Sequence, residues 1–143
     1  MTFSQATKEA YYTLTIIKGK VIKENEQTIW VIPTTLTNNT KDTLRYFSMS
    51  CSWQELYSVD NNKLRVEIAD CDKNIPTILI LAPGQSRTLE TRVLISQILD
   101  TSVTKFKIGF NLMKVWGTQK ASFSDFKEEL KKGKVIWSNI ISM

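Results

Sequence analysis

The sequence predicts an all-β protein, an antiparallel sandwich of about seven to nine strands with one short helix before the last strand. Three observations predict it. Phe106, Ile108, Phe110 and Leu112 alternate without a break against Lys105, Lys107, Gly109 and Asn111. Side chains on a strand point to opposite faces at a period of two, so this run has one apolar face and one wet face. Similar runs recur along the chain, separated by turn-forming clusters at Asn38–Thr43, Asp60–Asn62 and Ala82–Gln85. Finally, a single segment, 122–133, switches to helical periodicity.

The elements follow in order. Residues 1–9 form a loose arm, and residues 10–143 a single sandwich domain. Tyr12, Leu14 and Ile16 open the first strand, which extends towards Val21 and Ile22. Glu24–Gln27 is a polar turn. Thr28–Asn38 is the second strand, with Trp30, Ile32, Thr34 and Leu36 on one face. Pro33 lacks an N–H, which predicts an edge strand or a bulge. Leu44–Tyr57 follows, with Phe47, Met49, Cys51 and Trp53 on one face, and then a short strand through Leu64, Val66 and Ile68.

Ile75–Leu81 is an apolar run. Ala82-Pro83-Gly84-Gln85 carries Pro and Gly in the order a type II turn requires. Leu89, Thr91, Val93 and Ile95 alternate on the next strand, and residues 96–103 make a loop before the strand that ends at Trp116. Phe123, Phe126 and Leu130 share one helix face, Asp125 and Glu128 have capping-box spacing, and Gly133 is placed to stop the helix. Lys127, Lys131 and Lys132 point outward, and the helix is expected to cap one end of the sandwich. Lys134–Ile141, centred on Trp137, is the last strand.

Three segments carry a resemblance: Leu36-Thr37-Asn38-Asn39-Thr40, Leu81-Ala82-Pro83-Gly84-Gln85-Ser86 and the 106–112 strand. On these turn motifs, spread over residues 28–116, the chain resembles immunoglobulin-like β-sandwich domains of bacterial proteins. The resemblance implies the sandwich fold and brings no catalytic residues. The chain departs from antibody-type domains, in which a Trp packs on a disulfide between distant strands. Here Trp53 lies two residues after Cys51, and Cys71 only twenty residues after it.

Composition is that of an ordinary globular domain, 42% apolar and 23% charged, which argues against a disordered chain. No apolar run is long enough to span a bilayer as a helix. Net charge is +5. Residues 105–134 hold eight Lys against Asp125, Glu128 and Glu129, so 8 − 3 = +5, and the other eleven bases and eleven acids cancel. Such a segment is either a solvated Lys-rich surface or a field that attracts anions. All four Arg lie outside it, and bidentate phosphate or base recognition favours Arg, so no nucleic-acid partner is expected.

Two cysteines, Cys51 and Cys71, fit either a disulfide or two separate buried thiols. A bridge implies an oxidising compartment. The polar start Met1–Thr7 reads either as the remnant of an export signal or as a cytosolic N-terminus. Periplasmic, cell-surface or secreted placement is the expectation, with the cytoplasm as the alternative. Asn38-Asn39-Thr40 matches a glycosylation acceptor but reads more simply as a turn.

The chain contains no His, which removes the commonest general base and zinc ligand. Its five Gly form no phosphate loop. Among Glu55, Asp60 and Glu67, spacing gives no support for a catalytic carboxylate pair. Asp70-Cys71-Asp72-Lys73-Asn74 begins like a calcium loop, but Ile75 and Leu81 stand where Gly and Glu are needed. A looser calcium site competes there with a plain polar turn before Pro76. No catalytic residue, metal or cofactor is therefore expected.

The chain reads as a non-enzymatic binding or protein-interaction module. Lys105, Lys107, Lys114 and Trp116 are the candidate ligand-binding residues, and the partner is a protein or a glycan. A carbohydrate-binding accessory domain is one alternative, since Trp30, Trp53, Trp116 and Trp137 could supply a sugar platform, as could Tyr11 and Tyr57 less readily. Trp116, beside Gly117 at a strand end, is the best placed for exposure. The other alternative is a protease-inhibitor-like sandwich presenting the 70–76 loop.

Overall fold

The computed structural model describes residues 11–95 and 105–143. The expected arm at 1–9 and the expected loop at 96–103 fall outside the described residues. Among the described residues twelve strand segments are present: β1 (Tyr12–Ile16), β2 (Lys20–Glu24), β3 (Gln27–Asn38), β4 (Leu44–Met49), β5 (Tyr57–Val59), β6 (Leu64–Val66), β7 (Pro76–Leu81), β8 (Ser86–Ile95), β9 (Lys105–Phe106), β10 (Ile108–Leu112), β11 (Lys134–Trp137) and β12 (Ile141–Ser142). One α-helix, α1 (Phe123–Leu130), precedes β11, and a 3-10 turn covers Trp53–Leu56. All strand pairs are antiparallel. Among the described residues the molecule is all-β with one α-helix.

Twelve segments arise from about eight predicted strands because four strands are interrupted. β1 and β2 run along the same side of β3, opposite β8. β4 and β5 flank one side of the chain 108–115, through β5–β10 pairing and a bridge from Tyr46 to Lys114. β11 and β12 follow β10 and β9 on the other side. The order in one layer is β1/β2, β3, β8, β6. In the other it is β7, β4/β5, β9/β10, β11/β12.

Pro33 explains the first interruption and corrects the expectation of an edge strand. β3 is internal, paired on both sides. The Pro33 carbonyl accepts from Ile17 N at 3.3 Å, so its N–H position faces the β1/β2 side. The β1 pairing ends at Thr34 and the β2 pairing begins at Val31. The missing donor thus falls in the gap between β1 and β2, while the β3–β8 ladder runs on unbroken. Gly19 lies in that gap, where a Cβ would strike the Val31 carbonyl.

The expected Leu44–Tyr57 strand also breaks. Ser50, Cys51 and Ser52 leave the ladder, so Cys51 and Trp53 are not strand residues. Cys51 is bridged to Cys71 with a Cα–Cα distance of 6.2 Å. The bridge joins the loop after β4 to the loop between β6 and β7. Asn74 Oδ1 reinforces it, accepting from Cys51 N at 3.1 Å and Ser52 N at 3.0 Å. That amide oxygen is thus engaged with two backbone N–H groups in the turn before Pro76. Ile68 is half exposed beyond the end of β6 and is not a strand residue.

The core lies between the layers. Leu14, Trp30, Ile32, Leu36 and Val93 come from one side, and Tyr46, Phe106, Ile108 and Phe110 from the other, while Phe47 belongs to the same cluster and meets Phe126 of the helix. Phe106, Ile108, Phe110 and Leu112 are all buried on a single face, as their alternation requires. Trp30 stacks on Phe106 at 5.6 Å, and Tyr57 stacks on Phe110 at 4.7 Å. Burial pushes the Tyr46 and Tyr57 phenols above their ordinary value of 10.0, with Tyr46 adding to the shift at Tyr57 and Arg87 opposing both. On the outside of β3, Ile29 and Val31 pack with Leu94 in a small second cluster.

Several polar residues in the interior are bonded, whereas among the described residues Arg87 Nε and Asn111 Oδ1 are buried without a hydrogen-bond partner. Thr34 and Thr91 hydroxyls meet at 2.9 Å across β3 and β8. Asn38, fully buried, donates to the Asp42 and Leu81 carbonyls at 2.8 and 2.9 Å and accepts from Thr40 N at 2.9 Å. Its amide is therefore committed to the turn and closed to glycosylation. At the next turn, Gly84 adopts a φ of 76°, the left-handed conformation that the Pro-Gly order predicts.

The helix corrects three further expectations. Its N-cap is Ser122, whose hydroxyl accepts from Asp125 N at 3.2 Å, while Asp125 itself accepts from Lys120 N at 2.8 Å. Of the apolar trio only Phe126 is buried, edge-on to Phe47 at 6.2 Å. Phe123 and Leu130 remain exposed, and Glu129 takes an inward position instead. Gly133 is required for close approach rather than as a left-handed stop. A Cβ there would run into Asn111 and come within 2.9 Å of Met113 Cγ.

Candidate functional site

A groove of about 850 Å³ opens where the end of β10, the start of β1 and the α1–β11 connection meet. Three short-range causes bring these pieces together. After β10 the chain stays extended, with Val115 N donating to the Arg45 carbonyl at 2.8 Å, which carries Lys114 and Trp116 past β4. Gly117, at a φ of 54°, then turns the chain away. Gly133, lacking a side chain, lets the start of β11 lie against Asn111 and Met113.

Leu112, Met113 and Ile136 contribute apolar surface to the groove, beside the aromatic rings of Tyr11, Tyr12 and Trp116. Lys114, Lys132 and Lys134 supply three ammonium groups against one carboxylate, Glu129. Lys114 Nζ sits 4.6 Å from the Tyr12 ring centroid and 5.6 Å from that of Trp116. A cation in that range is attracted by the negative faces of both rings. Trp116 is 60% exposed and Tyr11 56%, so two large flat surfaces remain open to solvent.

Glu129 is engaged: it accepts from Gln119 Nε2 at 3.0 Å and lies 3.9 Å from Lys132 Nζ. Lys132 is also 3.5 Å from Glu128. Lys114 and Lys134 have no salt bridge among the described residues. They are the cations of the groove left available for an incoming anion.

Two of the four sequence-based candidates, Lys114 and Trp116, lie in this groove, and two do not. Lys105 is exposed on β9, and Lys107 places its Nζ 5.3 Å from the ring of Trp137. Their side of the sheet is a separate surface. Of the other aromatics, Trp30 is core, and Tyr57 is packed between Phe110 and Trp53 rather than offered to a sugar. Trp137 is 43% exposed, lying over Gly109.

Sequence reasoning left out Tyr12, Lys132 and Lys134 as site residues. Tyr12 has alternating strand spacing and was indistinguishable from a core position; Lys132 and Lys134 belonged to an undivided basic segment. The carboxylates Glu55, Asp60 and Glu67 are held separately. Glu55 accepts from Ser52 Oγ, Asp60 from Lys107 N at 2.9 Å, and Glu67 from Arg92 Nε at 2.5 Å. Arg92 also reaches Glu24 at 2.8 Å. The hydrogen bonds to Glu67 and Glu24 raise the guanidinium above its ordinary value.

The 70–76 loop, the other expected contact region, is anchored by the Cys51–Cys71 bridge. Neither a protein-family model nor a curated protein sequence matches this chain. Among the described residues no helix is long and apolar enough to cross a membrane.

Proposed function

We propose that this chain is a non-enzymatic ligand-binding module with an immunoglobulin-like body, exported to a bacterial periplasm or cell surface, and that its ligand is a carbohydrate held in the Lys114–Trp116 groove. The observation that carries the reading is one concavity lined by the solvent-facing rings of Tyr11 and Trp116, with the Lys114 ammonium 5.6 Å from the centroid of Trp116. Sugar rings present C–H faces that pack on flat aromatics, while a nearby ammonium group donates to their oxygens. A volume of about 850 Å³ lies within the range of pockets for small ligands, whereas protein partners are more often met on broad surfaces. This favours a glycan over a globular protein.

Supporting the setting, a disulfide between two solvent-accessible loops suits an oxidising compartment. The turn motifs at Asn38–Thr40 and Ala82–Gln85 support kinship with bacterial sandwich modules. Non-enzymatic action is supported by the groove's side chains. The one carboxylate among its described lining residues, Glu129, is already bonded to Gln119, and the chain has no His to serve as base.

Titration calorimetry of the wild type and Trp116→Ala against a panel of neutral and acidic oligosaccharides tests the reading. At least one should bind the wild type and weaken by about tenfold or more in the variant, as when a hot-spot aromatic is truncated. If no oligosaccharide binds, or if binding is indifferent to Trp116, the carbohydrate reading fails.

A further inference from the structure

We infer that the groove selects carboxylated glycans, uronic-acid oligomers above all, and that Lys114 and Lys134 are the residues that read the carboxylate. The inference rests on the carbohydrate reading and adds a charge requirement to it. Its first ground is the charge of the groove. The chain's entire excess of positive charge lies in residues 105–134, and the groove draws three of those lysines into one concavity. Among the described residues, only Lys132 of the three is spent on carboxylates of the protein itself, Glu128 and Glu129.

Lys114 is placed for this task. Its ammonium lies between the faces of Tyr12 and Trp116, at 4.6 and 5.6 Å from their centroids. The rings restrict where the charge can go without consuming its hydrogen-bond donors, since a ring face takes no directed bond from it. A carboxylate on a sugar stacked against Trp116 would therefore meet a positioned cation and not a freely swinging one. Lys114 is half-buried, which strengthens its attraction for an anion over that of a fully solvated lysine. Lys134 begins β11 on the groove's rim and supplies a second positive charge for the next uronate along an extended chain.

Carboxylate suits these residues better than a phosphodiester polymer does. All four Arg of the chain lie outside the 105–134 segment, so no planar guanidinium fork is offered to phosphate within the basic stretch. Lysine, a compact point charge, pairs with a single carboxylate without needing that fork.

The decisive comparison is a galacturonate oligomer against the galactose oligomer of equal length, which differs only in having CH₂OH for each carboxylate. Calorimetry is run at low and high salt with wild type, Lys114→Met, Lys134→Met and the distant control Lys105→Met/Lys107→Met. Thermal melting confirms that each variant is folded.

The galacturonate oligomer should bind the wild type about tenfold or more tightly than the galactose oligomer, the scale expected for hydrogen bonds to a charged group. That preference should shrink at high salt. Either groove substitution should remove most of it, and the distant pair should leave it intact. Equal binding of the two oligomers overturns the charge inference while leaving the carbohydrate reading standing. Stronger binding of poly-glutamate than of galacturonate overturns the glycan assignment itself. Binding of neither oligomer overturns this inference, and the wider panel then decides the fate of the carbohydrate reading.

Discussion

Reducing the Cys51–Cys71 bridge should destabilise the protein by about 3 kcal/mol without changing its native structure. The magnitude comes from the sequence separation of 20 between the linked residues. In the chain-entropy treatment, closing a loop of that size lowers the entropy of the unfolded ensemble by an amount worth about 3 kcal/mol at room temperature. The native state has its own hold on the same loops. Ser50 N donates to the Ile75 carbonyl at 2.8 Å, and Ile75 N donates to Ser50 Oγ at 3.0 Å. Asn74 Oδ1 accepts from Cys51 N and Ser52 N. These bonds do not require the bridge, so its loss acts mainly on the unfolded chain.

Urea unfolding of the oxidised protein, the reduced protein and the Cys51→Ser/Cys71→Ser variant provides the assay. Both bridge-free forms should keep the native circular dichroism and melt about 10 °C lower. Their denaturant slope should rise, because an uncrosslinked chain exposes more surface on unfolding. A loss below about 1 kcal/mol with an unchanged slope would refute the unfolded-state reasoning.

Further outcomes are expected from the core, the helix and the tyrosines. Phe110→Ala removes the ring on which Tyr57 stacks at 4.7 Å and should cost about 3–5 kcal/mol in urea denaturation. Ser122→Ala removes the oxygen that accepts from Asp125 N and should cost about 1 kcal/mol, with the melting curve as readout. Tyr57 keeps its proton in the folded state to a higher pH than in the unfolded state, whose phenol ionises near 10. Above that pH the unfolded chain binds fewer protons, so this group's contribution to stability is complete below pH 10 and falls as pH rises further. Tyr57→Phe should show a shallower alkaline decline than wild type when unfolding free energies are compared across that range. Parallel declines would argue against the burial-driven shift.

The strand faces were legible because alternation is a local property. Phe106, Ile108, Phe110 and Leu112 had to share a side, whatever lay opposite them. The turn at Pro83-Gly84 was equally local, since it depends on which residues tolerate a positive φ. Pro33 shows the limit of that logic. A missing N–H excludes a hydrogen bond on one side of a strand but does not say which neighbour stands there. An internal strand accommodates it because β1 and β2 part at that point. The helix shows the same limit: Phe123, Phe126 and Leu130 have equal claims to burial by spacing, yet only Phe126 finds a partner, in Phe47.

The site was half legible. Lys114 and Trp116 are near each other in sequence and beside a strand end, which flagged them. Tyr12 lies about a hundred residues away, and nothing in its neighbourhood announces that it will sit under the Lys114 ammonium.

By itself the sequence determined an all-β body, the buried faces of the 28–38 and 106–112 strands, the helix near the C-terminus and the concentration of positive charge there, because each depends on residues within a few positions of one another. Tertiary structure alone decided which strands are neighbours, which aromatics stay in water and which lysines share a groove. Those outcomes turn on contacts between distant segments, where packing chooses among faces that are locally equivalent.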